Sequence, residues 1–399
     1  MTPLLVPRDG DVEPVVDPLR LAEWARRLAT GNGPVALDAE RASGYRYGSR
    51  AYLVQLRRAD VGTVLFDPIP LGDLAALDAP LADSEWVLHA ASQDLPCLAE
   101  IGMRPRKLFD TELAGRLAGL PRVGLGPLVE QMLGLGLAKG HGAADWSTRP
   151  LPASWLTYAA LDVEVLIELR DAMADLLDSQ GKLEWARQEF AAIVAAPPTP
   201  PRTDPWRRTS GIHRLHDPRM LAIIRELWIT RDDLARRRDL APHRVLPDTA
   251  IVAAATARPT SAAALTALPV FAGRIQRRQA ATWWEAVGRA MALPAASLPP
   301  PTLSGDGPPP PAKWAVKDPR AAARLTAARA ALAGISARVG TPVENLISPD
   351  LVRRTMWTPP DGADLAEALA IGGARPWQVE LTAAPLRDAL EPAAPLPPT

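Results

Sequence analysis

The stretch "PVALDAERAS", residues 34–43, places two carboxylates, Asp38 and Glu40, two positions apart among apolar residues. The apolar run predicts a β-strand, and alternate side chains of a strand point to the same face, so both carboxylates share one face. Neighbouring like charges repel unless a positive charge lies between them. The pair therefore indicates either an exposed strand face, where water solvates both acids, or a cation that the acids share with other residues.

Alternating strands and helices extend from this strand across about the first 195 residues. A short strand passes into a helix within 107–120, and Ser92 is a predicted helix N-cap. Three strands joined as a meander and followed by β–α units favour a mixed sheet covered by helices. The other predicted elements are strands at 34–40, 51–58, 62–68 and 86–90, and helices at 18–30, 124–135 and 152–180.

Two further acidic residues occupy positions where a ligand site is expected. Asp94, in "HAASQDL" (89–95), follows a buried strand at the start of a helix, and loops at strand ends are where α/β sheets bind ligands. In "TYAALDVEVL" (157–166), Tyr158 and Asp162 are four residues apart and share one face of a helix. Four acids from two strand ends and two helices can therefore converge on one cleft.

Divalent cations are the groups that neutralise four converging carboxylates. Hard oxygen ligands suit Mg²⁺ or Mn²⁺ rather than zinc, and the single cysteine, Cys97, excludes a cysteine-based zinc site. Two ions about 3.5–4 Å apart would hold the attacking and leaving oxygens of a phosphodiester and lower the pKa of a bound water. Tyr158, one turn before Asp162, would orient that water.

Charge is distributed unevenly although the net charge of the chain is zero. Residues 1–201 carry a net charge of −8, residues 202–289 carry +8, and residues 290–399 are balanced. A basic middle segment would hold a polyanion while the acidic front segment acts on it. Helices whose arginines are simply solvated are the alternative.

Two proline-rich stretches, 195–205 and 293–314, divide the chain, because such runs favour extended linkers and do not continue a helix. Both C-terminal segments read as small helical bundles and open on "DPR", which indicates a degenerate duplicated module. The predicted units are a catalytic α/β domain at 1–195, linkers at 196–209 and 293–312, and helical domains at 210–292 and 313–390.

The composition also favours a cytoplasmic location. No apolar run reaches the ~18 residues that span a bilayer. The N-terminal stretch carries acids and lacks the basic start and apolar core of a signal peptide. One cysteine excludes a disulfide framework.

Three motifs occur in the order found in one enzyme superfamily: DxE at 38–40, HxxxQD at 89–94 and YxxxD at 158–162. This set resembles the tyrosine-bearing form of the DEDD exonucleases. Together with "FDTELAGRLAG" (109–119) and "LAKGHGAADWSTRPL" (137–151), it resembles the ribonuclease D family over about residues 20–290. The resemblance implies a ribonuclease-H-like fold, with a mixed five-to-six-stranded sheet flanked by helices, and 3′→5′ exonuclease activity that releases nucleoside 5′-monophosphates.

The same resemblance implies roles for the acidic residues. Asp38 would bridge two Mg²⁺ or Mn²⁺ ions, with Glu40 and Asp162 on the ion that activates water. Asp94 would hold the other ion through water, and Tyr158 would position the nucleophile.

Other polar residues near the motifs are weaker candidates for substrate contacts. Gln93 would touch the terminal nucleotide and His89 a phosphate, although a satisfied, partly buried histidine is the alternative for His89. Lys139 and Arg149 would contact phosphate unless their loop is only a packed connector.

The middle segment resembles the helicase-and-RNase-D C-terminal (HRDC) domain through "PHRVLPDTAI" (242–251) and "RPTSAAAL" (258–265). That family implies nucleic-acid binding through basic surfaces, with a solvated face or a protein-docking patch as the alternative. The last segment resembles a second such module through "TPVENLISPDLVRRTMW" (341–357). The candidate nucleic-acid contacts are Arg236, Arg237, Arg238, Arg244, Arg274, Arg277 and Arg278.

These patterns favour a monomeric, metal-dependent 3′→5′ exoribonuclease that trims structured RNA such as tRNA precursors. Two alternatives stay open: a non-catalytic RNA-binding scaffold, and a DNA-directed exonuclease of the same superfamily. The preference for RNA rests on the resemblance, because nothing in the motifs tests for a 2′-hydroxyl.

Overall fold

A mixed five-stranded sheet forms the centre of the first segment, as predicted. The computed structural model describes residues 2–10, 12–137, 140–271, 273–302, 307–360 and 364–391. In the strand order β4–β3–β2–β5–β6, the pairs of β3 with β2 and β4 are antiparallel and the pairs of β5 with β2 and β6 are parallel. The strands are β1 (Thr2–Leu4), β2 (Val35–Arg41), β3 (Ala51–Arg58), β4 (Gly62–Phe66), β5 (Glu85–Leu88), β6 (Lys107–Asp110) and β7 (Leu135–Leu137).

β1 and β7 form a separate parallel pair that no pattern in the sequence predicted. Each strand has three residues, which is too short for an alternating hydrophobic pattern to be visible. The pair ties the N-terminal segment to the chain just before the loop that packs against Tyr158.

The described part of the first segment contains eight α-helices, several of which pack on the sheet. The predicted helix at 152–180 is two helices, α6 and α7, which meet at Val165. They separate because α6 lies across β2, β3 and β4, whereas α7 packs against α4, α5 and β5. The helices are α1 (Pro18–Thr30), α2 (Pro68–Leu71), α3 (Leu95–Glu100), α4 (Thr111–Leu117), α5 (Leu125–Leu133), α6 (Ala153–Glu164), α7 (Leu166–Ser179) and α8 (Leu183–Ala195).

The prediction that Ser92 caps a helix is wrong. Residues Ala91–Gln93 form a 3-10 turn, and α3 begins after Asp94. The two backbone N–H groups at the start of the turn bind the Asp110 carboxylate from the neighbouring strand, and this contact between two strand ends is not visible from local sequence.

The middle segment forms a second hydrophobic core, in which Trp206, Phe271 and Trp283 are buried. Asp217 caps its first helix by accepting hydrogen bonds from the N–H groups of Arg219 and Met220 at 2.8 and 3.1 Å. The helices are α9 (Pro218–Arg238), α10 (Pro242–Val245), α11 (Asp248–Ala257), α12 (Ala262–Thr266), α13 (Arg274–Arg278) and α14 (Ala280–Ala292).

The last segment repeats the start of the middle one. Asp318 caps a helix of 21 residues, as Asp217 does, and a short helix and then a longer one follow in both segments. The helices are α15 (Trp314–Lys317), α16 (Pro319–Val339), α17 (Val343–Leu346), α18 (Pro349–Trp357), α19 (Leu365–Ile371) and α20 (Pro376–Leu390).

The last segment shares one continuous hydrophobic core with the first. The rings of Trp185 and Trp377 stack at 4.7 Å, and Trp377 Nε1 donates to Glu189 at 3.0 Å. The two backbones also touch, because a Cβ atom built on Gly119 would lie 1.9 Å from the carbonyl oxygen of Gly340. The last segment is therefore packed with the first segment as one structural unit.

Among the helices of the described ranges, none combines the length and the apolar character that crossing a membrane requires.

Candidate active site

Three carboxylates converge where β2, the central strand, passes under α6. Asp38 and Glu40 project from β2 and Asp162 from α6, and one carboxylate oxygen of each lies within 4.8 Å of the others. The strand supplies two acids to one face and the helix laid across it supplies the third. Glu40 is only 7% exposed. The structure thus brings these three predicted residues together.

Tyr158 lies one helical turn before Asp162 on α6, and its phenol and that carboxylate interact in the cleft. A Cβ atom built on Gly140 would lie 3.0 Å from Cδ2 of the Tyr158 ring, and one on Gly142 would lie 3.6 Å from its hydroxyl. The His141 ring packs edge-on against Tyr158 at 5.7 Å. The glycines of this loop therefore allow the chain to pack closely around the tyrosine.

Asp94 reaches the same cleft from the turn after β5 and is 4% exposed. That turn begins at Ala90, whose φ of 60° lies in the left-handed region. The Asp110 carboxylate accepts hydrogen bonds from the N–H groups of Ala90 and Ala91 at 3.0 and 2.8 Å. Asp94 lies outside the 4.8 Å group but lines the same cleft.

The four acids strongly disfavour being charged together. Burial raises the pKa of Glu40 to about 10, and the charges of Asp38, Asp162 and Asp94 add to that shift. Burial, followed by the charge of Asp38, also raises the pKa values of Asp94 and Asp162 to about 8 each. Carboxylate oxygens in this arrangement are the ligands that hard divalent cations require. The donor set therefore fits divalent metal ions.

Tyr158 remains protonated at neutral pH. Burial and the negative charges of Asp162 and Glu40 raise the pKa of its phenol above the usual range. Its hydroxyl is therefore available as a hydrogen-bond donor in the cleft.

Arg41 is a cleft residue that no sequence pattern singled out. It follows Glu40 at a point where the register of β2 against β3 shifts. One of its Nη atoms lies 3.2 Å from Oδ1 of Asp94, and the other donates to the carbonyl of Gln93. In the sequence, the only feature that could have identified Arg41 as a cleft residue is its position directly after Asp38 and Glu40.

The predicted substrate contacts differ in where they lie. His89 and Gln93 line the cleft, whose volume is about 550 Å³. His89 Nδ1 is 2.9 Å from Thr111 Oγ1, and burial lowers the pKa of His89 to about 4, so its ring is neutral at pH 7. The side chain of Gln93 is exposed at the rim. Lys139 lies outside the described residues.

Arg149 anchors its own loop. Its Nε and one Nη donate to the Asp67 carboxylate at 2.6 and 2.8 Å. The remaining N–H groups donate to the carbonyls of Trp146, Thr148 and Tyr52 at 2.7–2.8 Å. All five guanidinium donors are thus engaged within the protein, and this geometry supports the connector interpretation over a phosphate contact.

The seven predicted arginines of the middle segment separate into two groups. Arg236 pairs with Asp232 and Asp233 at 3.2 Å each. Arg244 donates to the carbonyl of Gly44 at 2.8 Å and covers the Tyr45 ring at 4.2 Å. The contact of Arg244 with the first segment supports the docking alternative, whereas the ion pairs of Arg236 lie within its own helix. All seven side chains are exposed. The five that make no hydrogen bond or ion pair with the described residues are Arg237, Arg238, Arg274, Arg277 and Arg278.

Family models match three parts of the chain. The 3′-5′ exonuclease model matches residues 12–178 and the HRDC domain model matches residues 220–287. A model described as the 3′ to 5′ exonuclease C-terminal domain matches residues 307–390. The final helical segment therefore matches a family model other than HRDC, although its first helices resemble those of the middle segment.

Curated relatives extend the likeness over most of the chain. Ribonuclease D of Granulibacter bethesdensis is 33% identical over 273 residues, which are 66% of this chain and 68% of the relative. Ribonuclease D of Gluconacetobacter diazotrophicus is 32% identical over 316 residues, which are 77% of each chain.

Two solved structures are similar over nearly the whole length. A protein from Bifidobacterium adolescentis has a TM-score of 0.90 and 38% identity, over 98% of this chain and 99% of its own. Escherichia coli RNase D, described as an exoribonuclease involved in structured RNA processing, has a TM-score of 0.69 and 26% identity, over 96% of this chain and 100% of its own.

Proposed function

Since the chain belongs to the ribonuclease D family and is a 3′→5′ exoribonuclease, we propose that its acidic cleft holds two divalent metal ions and removes nucleotides singly from RNA 3′ ends. The observation that carries this proposal is the group formed by Asp38, Glu40 and Asp162, with carboxylate oxygens within 4.8 Å of one another. Tyr158 lies one turn away on the same helix.

Each acid has a proposed position around the metals. Asp38 would be shared by both ions, because its charge acts on both Glu40 and Asp94. Glu40 and Asp162 would hold the ion on the water side, and Asp94 would hold the other ion through water. Such ions would lower the pKa of the attacking water and take up the charge that develops on the phosphate.

Tyr158 orients the attacking water through its hydroxyl. The hydroxyl keeps its proton at neutral pH because burial and the charge of Asp162, one turn away on α6, raise its pKa. The tyrosine therefore acts by positioning, and the proton of the water leaves to solvent or to a neighbouring carboxylate.

Several finer features belong to the same proposal. Mg²⁺ or Mn²⁺ is the proposed metal because all the donors are carboxylate oxygens. The proposed substrates are structured RNAs with a free 3′ end, such as tRNA precursors, and the proposed acting form is a cytoplasmic monomer. Five exposed arginines of the middle segment that make no hydrogen bond or ion pair with the described residues would contact RNA phosphates. They are Arg237, Arg238, Arg274, Arg277 and Arg278.

The test uses RNA labelled at its 5′ end, incubated with Mg²⁺ or Mn²⁺. We expect a ladder shortened from the 3′ end, no products with EDTA, and no products from a circular RNA that lacks a 3′ end. Asp38→Ala and Asp162→Ala should lower turnover by at least about 10³-fold, because they remove ligands of the ions that activate water. DNA of the same sequence, added as competitor, measures the preference for RNA.

Asp175→Ala is the matched control, because Asp175 is an exposed acid on α7 outside the cleft. It should leave turnover unchanged. A folded Asp38→Ala protein with near-normal turnover would exclude the metal mechanism. Binding of RNA with no cleavage by the unaltered protein would support the scaffold alternative.

A further inference from the structure

Arg41 occupies an unusual place for a cation. It follows Glu40 directly, and the register against β3 shifts at that point, so that Glu40 lies opposite Leu53 while Arg41 lies opposite Ala51. Irregularities of this kind re-aim side chains next to active sites. Of the described residues that line the cleft, Arg41 alone carries a positive charge at neutral pH, because His89 is neutral there.

The guanidinium of Arg41 binds the turn that carries Asp94. One Nη lies 3.2 Å from Oδ1 of Asp94, and the other donates to the carbonyl of Gln93. The Arg41 side chain is 27% exposed and that of Asp94 is 5% exposed, so the ion pair lies at the wall of the cleft with one edge open to it. The pair is therefore both partly shielded from water and reachable by a ligand.

A metal ion held at Asp94 through its bound water would compete with this guanidinium for the same carboxylate. Both are cations, and their repulsion is strong at close range in a site shielded from water. The hydrogen bond to the Gln93 carbonyl would keep the arginine at the cleft if it left Asp94. A displaced guanidinium with free N–H groups presents the planar fork that suits two oxygens of one phosphate.

We propose that Arg41 is exchanged between Asp94 and the RNA: it pairs with Asp94 until a divalent ion takes that carboxylate, and it then binds the phosphate of the terminal nucleotide. This inference rests on the proposed function and adds a further phosphate-binding residue to it. Arg41 would thus link metal loading to substrate binding. The RNA phosphate would bind both the metal and the Arg41 guanidinium only after the metal is in place.

The test compares the unaltered full chain with Arg41→Gln, Arg41→Lys and Arg122→Gln. Arg122 is an exposed arginine two residues before Gly124 at the cleft, and it controls for the loss of one charge. Mn²⁺ affinity is measured without RNA by calorimetry and by electron paramagnetic resonance. Turnover of a 5′-labelled RNA is measured separately at saturating Mn²⁺.

For Arg41→Gln we expect Mn²⁺ to bind at least about threefold more tightly, because a competing cation is gone. We expect its kcat to fall by about 10- to 100-fold, the size of one lost charge-assisted hydrogen bond. Arg41→Lys keeps the charge without the fork, so Mn²⁺ affinity should stay near that of the unaltered protein while kcat falls. Arg122→Gln should change neither quantity.

Unchanged or weaker Mn²⁺ binding by Arg41→Gln would overturn the inference, because an arginine that only holds Asp94 in place would weaken metal binding when removed. An unchanged kcat would overturn it as well. Either result, obtained while the unaltered protein degrades RNA in a metal-dependent manner, leaves the proposed nuclease function intact. Absence of metal-dependent cleavage by the unaltered protein would instead refute that function.

Discussion

Asp110 determines where Asp94 lies, although it is not part of the acidic group itself. Its buried carboxylate accepts hydrogen bonds from the N–H groups of Ala90 and Ala91, at the start of the turn that ends in Asp94. The same carboxylate caps α4 by accepting from the N–H groups at 112 and 113, at 2.9 and 3.1 Å. One side chain thus joins a helix start to a turn of the active site.

We predict that Asp110→Ala lowers both stability and turnover. The loss of the cap and of two buried hydrogen bonds should reduce the free energy of unfolding by about 2–4 kcal/mol. Turnover should fall by about tenfold or more because Asp94 is no longer held in place. Urea unfolding and cleavage of labelled RNA below the unfolding transition measure the two effects.

Asp17→Ala is the matched control, because Asp17 caps α1 through the N–H groups of Leu19 and Arg20 and lies outside the cleft. It should cost about 1 kcal/mol and leave turnover unchanged. Equal loss of turnover in both variants would show that the Asp110 effect is a general loss of stability.

At the scale of single residues, the sequence predicted the acidic residues of the site better than the contacts of the arginines around it. A carboxylate in an apolar strand or helix is conspicuous, which is why Asp38, Glu40 and Asp162 were predicted and are found together. The contacts of Arg41 and Arg149 depend on chain segments far apart in sequence, with partners up to 97 residues away. Local spacing contains no information about such partners.

At the scale of elements, α6 is attached to the sheet by a buried ion-pair network as well as by apolar packing. Glu164, at the end of α6, is fully buried, and its Oε1 lies 3.3 Å from an Nη of Arg57 on β3 and 3.5 Å from Nε of Arg8. Arg57 also binds Asp9 and Thr63. Because Tyr158 and Asp162 lie on the same helix, this network helps to position them.

We predict that Arg57→Met lowers the free energy of unfolding by about 3–5 kcal/mol, because it leaves the buried Glu164 carboxylate without its main partner. The double variant Arg57→Met, Glu164→Met should recover at least half of that loss, since neither charge remains. A double-mutant cycle by urea unfolding measures the coupling. Additive effects of the two substitutions would show that the pair does not stabilise the attachment of α6.

The elements themselves were predicted where their patterns are long. The helix at 18–30 and the strand at 51–58 have the predicted bounds. The division of 152–180 into α6 and α7 was missed because both helices continue one apolar periodicity, and only their different packing partners separate them.

At the scale of the whole molecule, the loop after the catalytic strand docks the middle segment. The N–H of Ala241 donates to the carbonyl of Tyr45 at 2.9 Å, and the Tyr47 hydroxyl donates to the Asp232 carboxylate at 3.1 Å. Arg244 adds its contact with the carbonyl of Gly44. The basic segment is therefore held beside the strand that carries Asp38, and part of its charge is used for this attachment.

The mixed sheet and the helical character of the later segments were predictable because strand alternation and helical periodicity differ locally. The docking role of Arg244 was not predictable, because it depends on which faces of α9 and α10 meet the loop at 42–50. The shared core of the first and last segments was not predictable either. Its stacked tryptophans, Trp185 and Trp377, are far apart in the sequence.

The exposed arginines of α13 provide a test of how the whole molecule holds RNA. Replacing Arg274, Arg277 and Arg278 with Gln removes three cations that face solvent. If each contacts one phosphate, the slope of log Kd against log salt should fall by about 2, because a single strand releases about 0.7 counterion per neutralised phosphate. Affinity is measured by fluorescence anisotropy between 50 and 300 mM salt, in an Asp38→Ala background that prevents cleavage.

The control replaces Arg320, Arg329 and Arg338 of α16, which are equally exposed and lie on the charge-balanced last segment. Both triple variants change the net charge by −3, so a general electrostatic effect would alter both slopes equally. A reduced slope for the α13 variant alone would assign the RNA contact to the middle segment. Equal slopes in all three proteins would mean that α13 does not touch RNA and that its arginines are solvated.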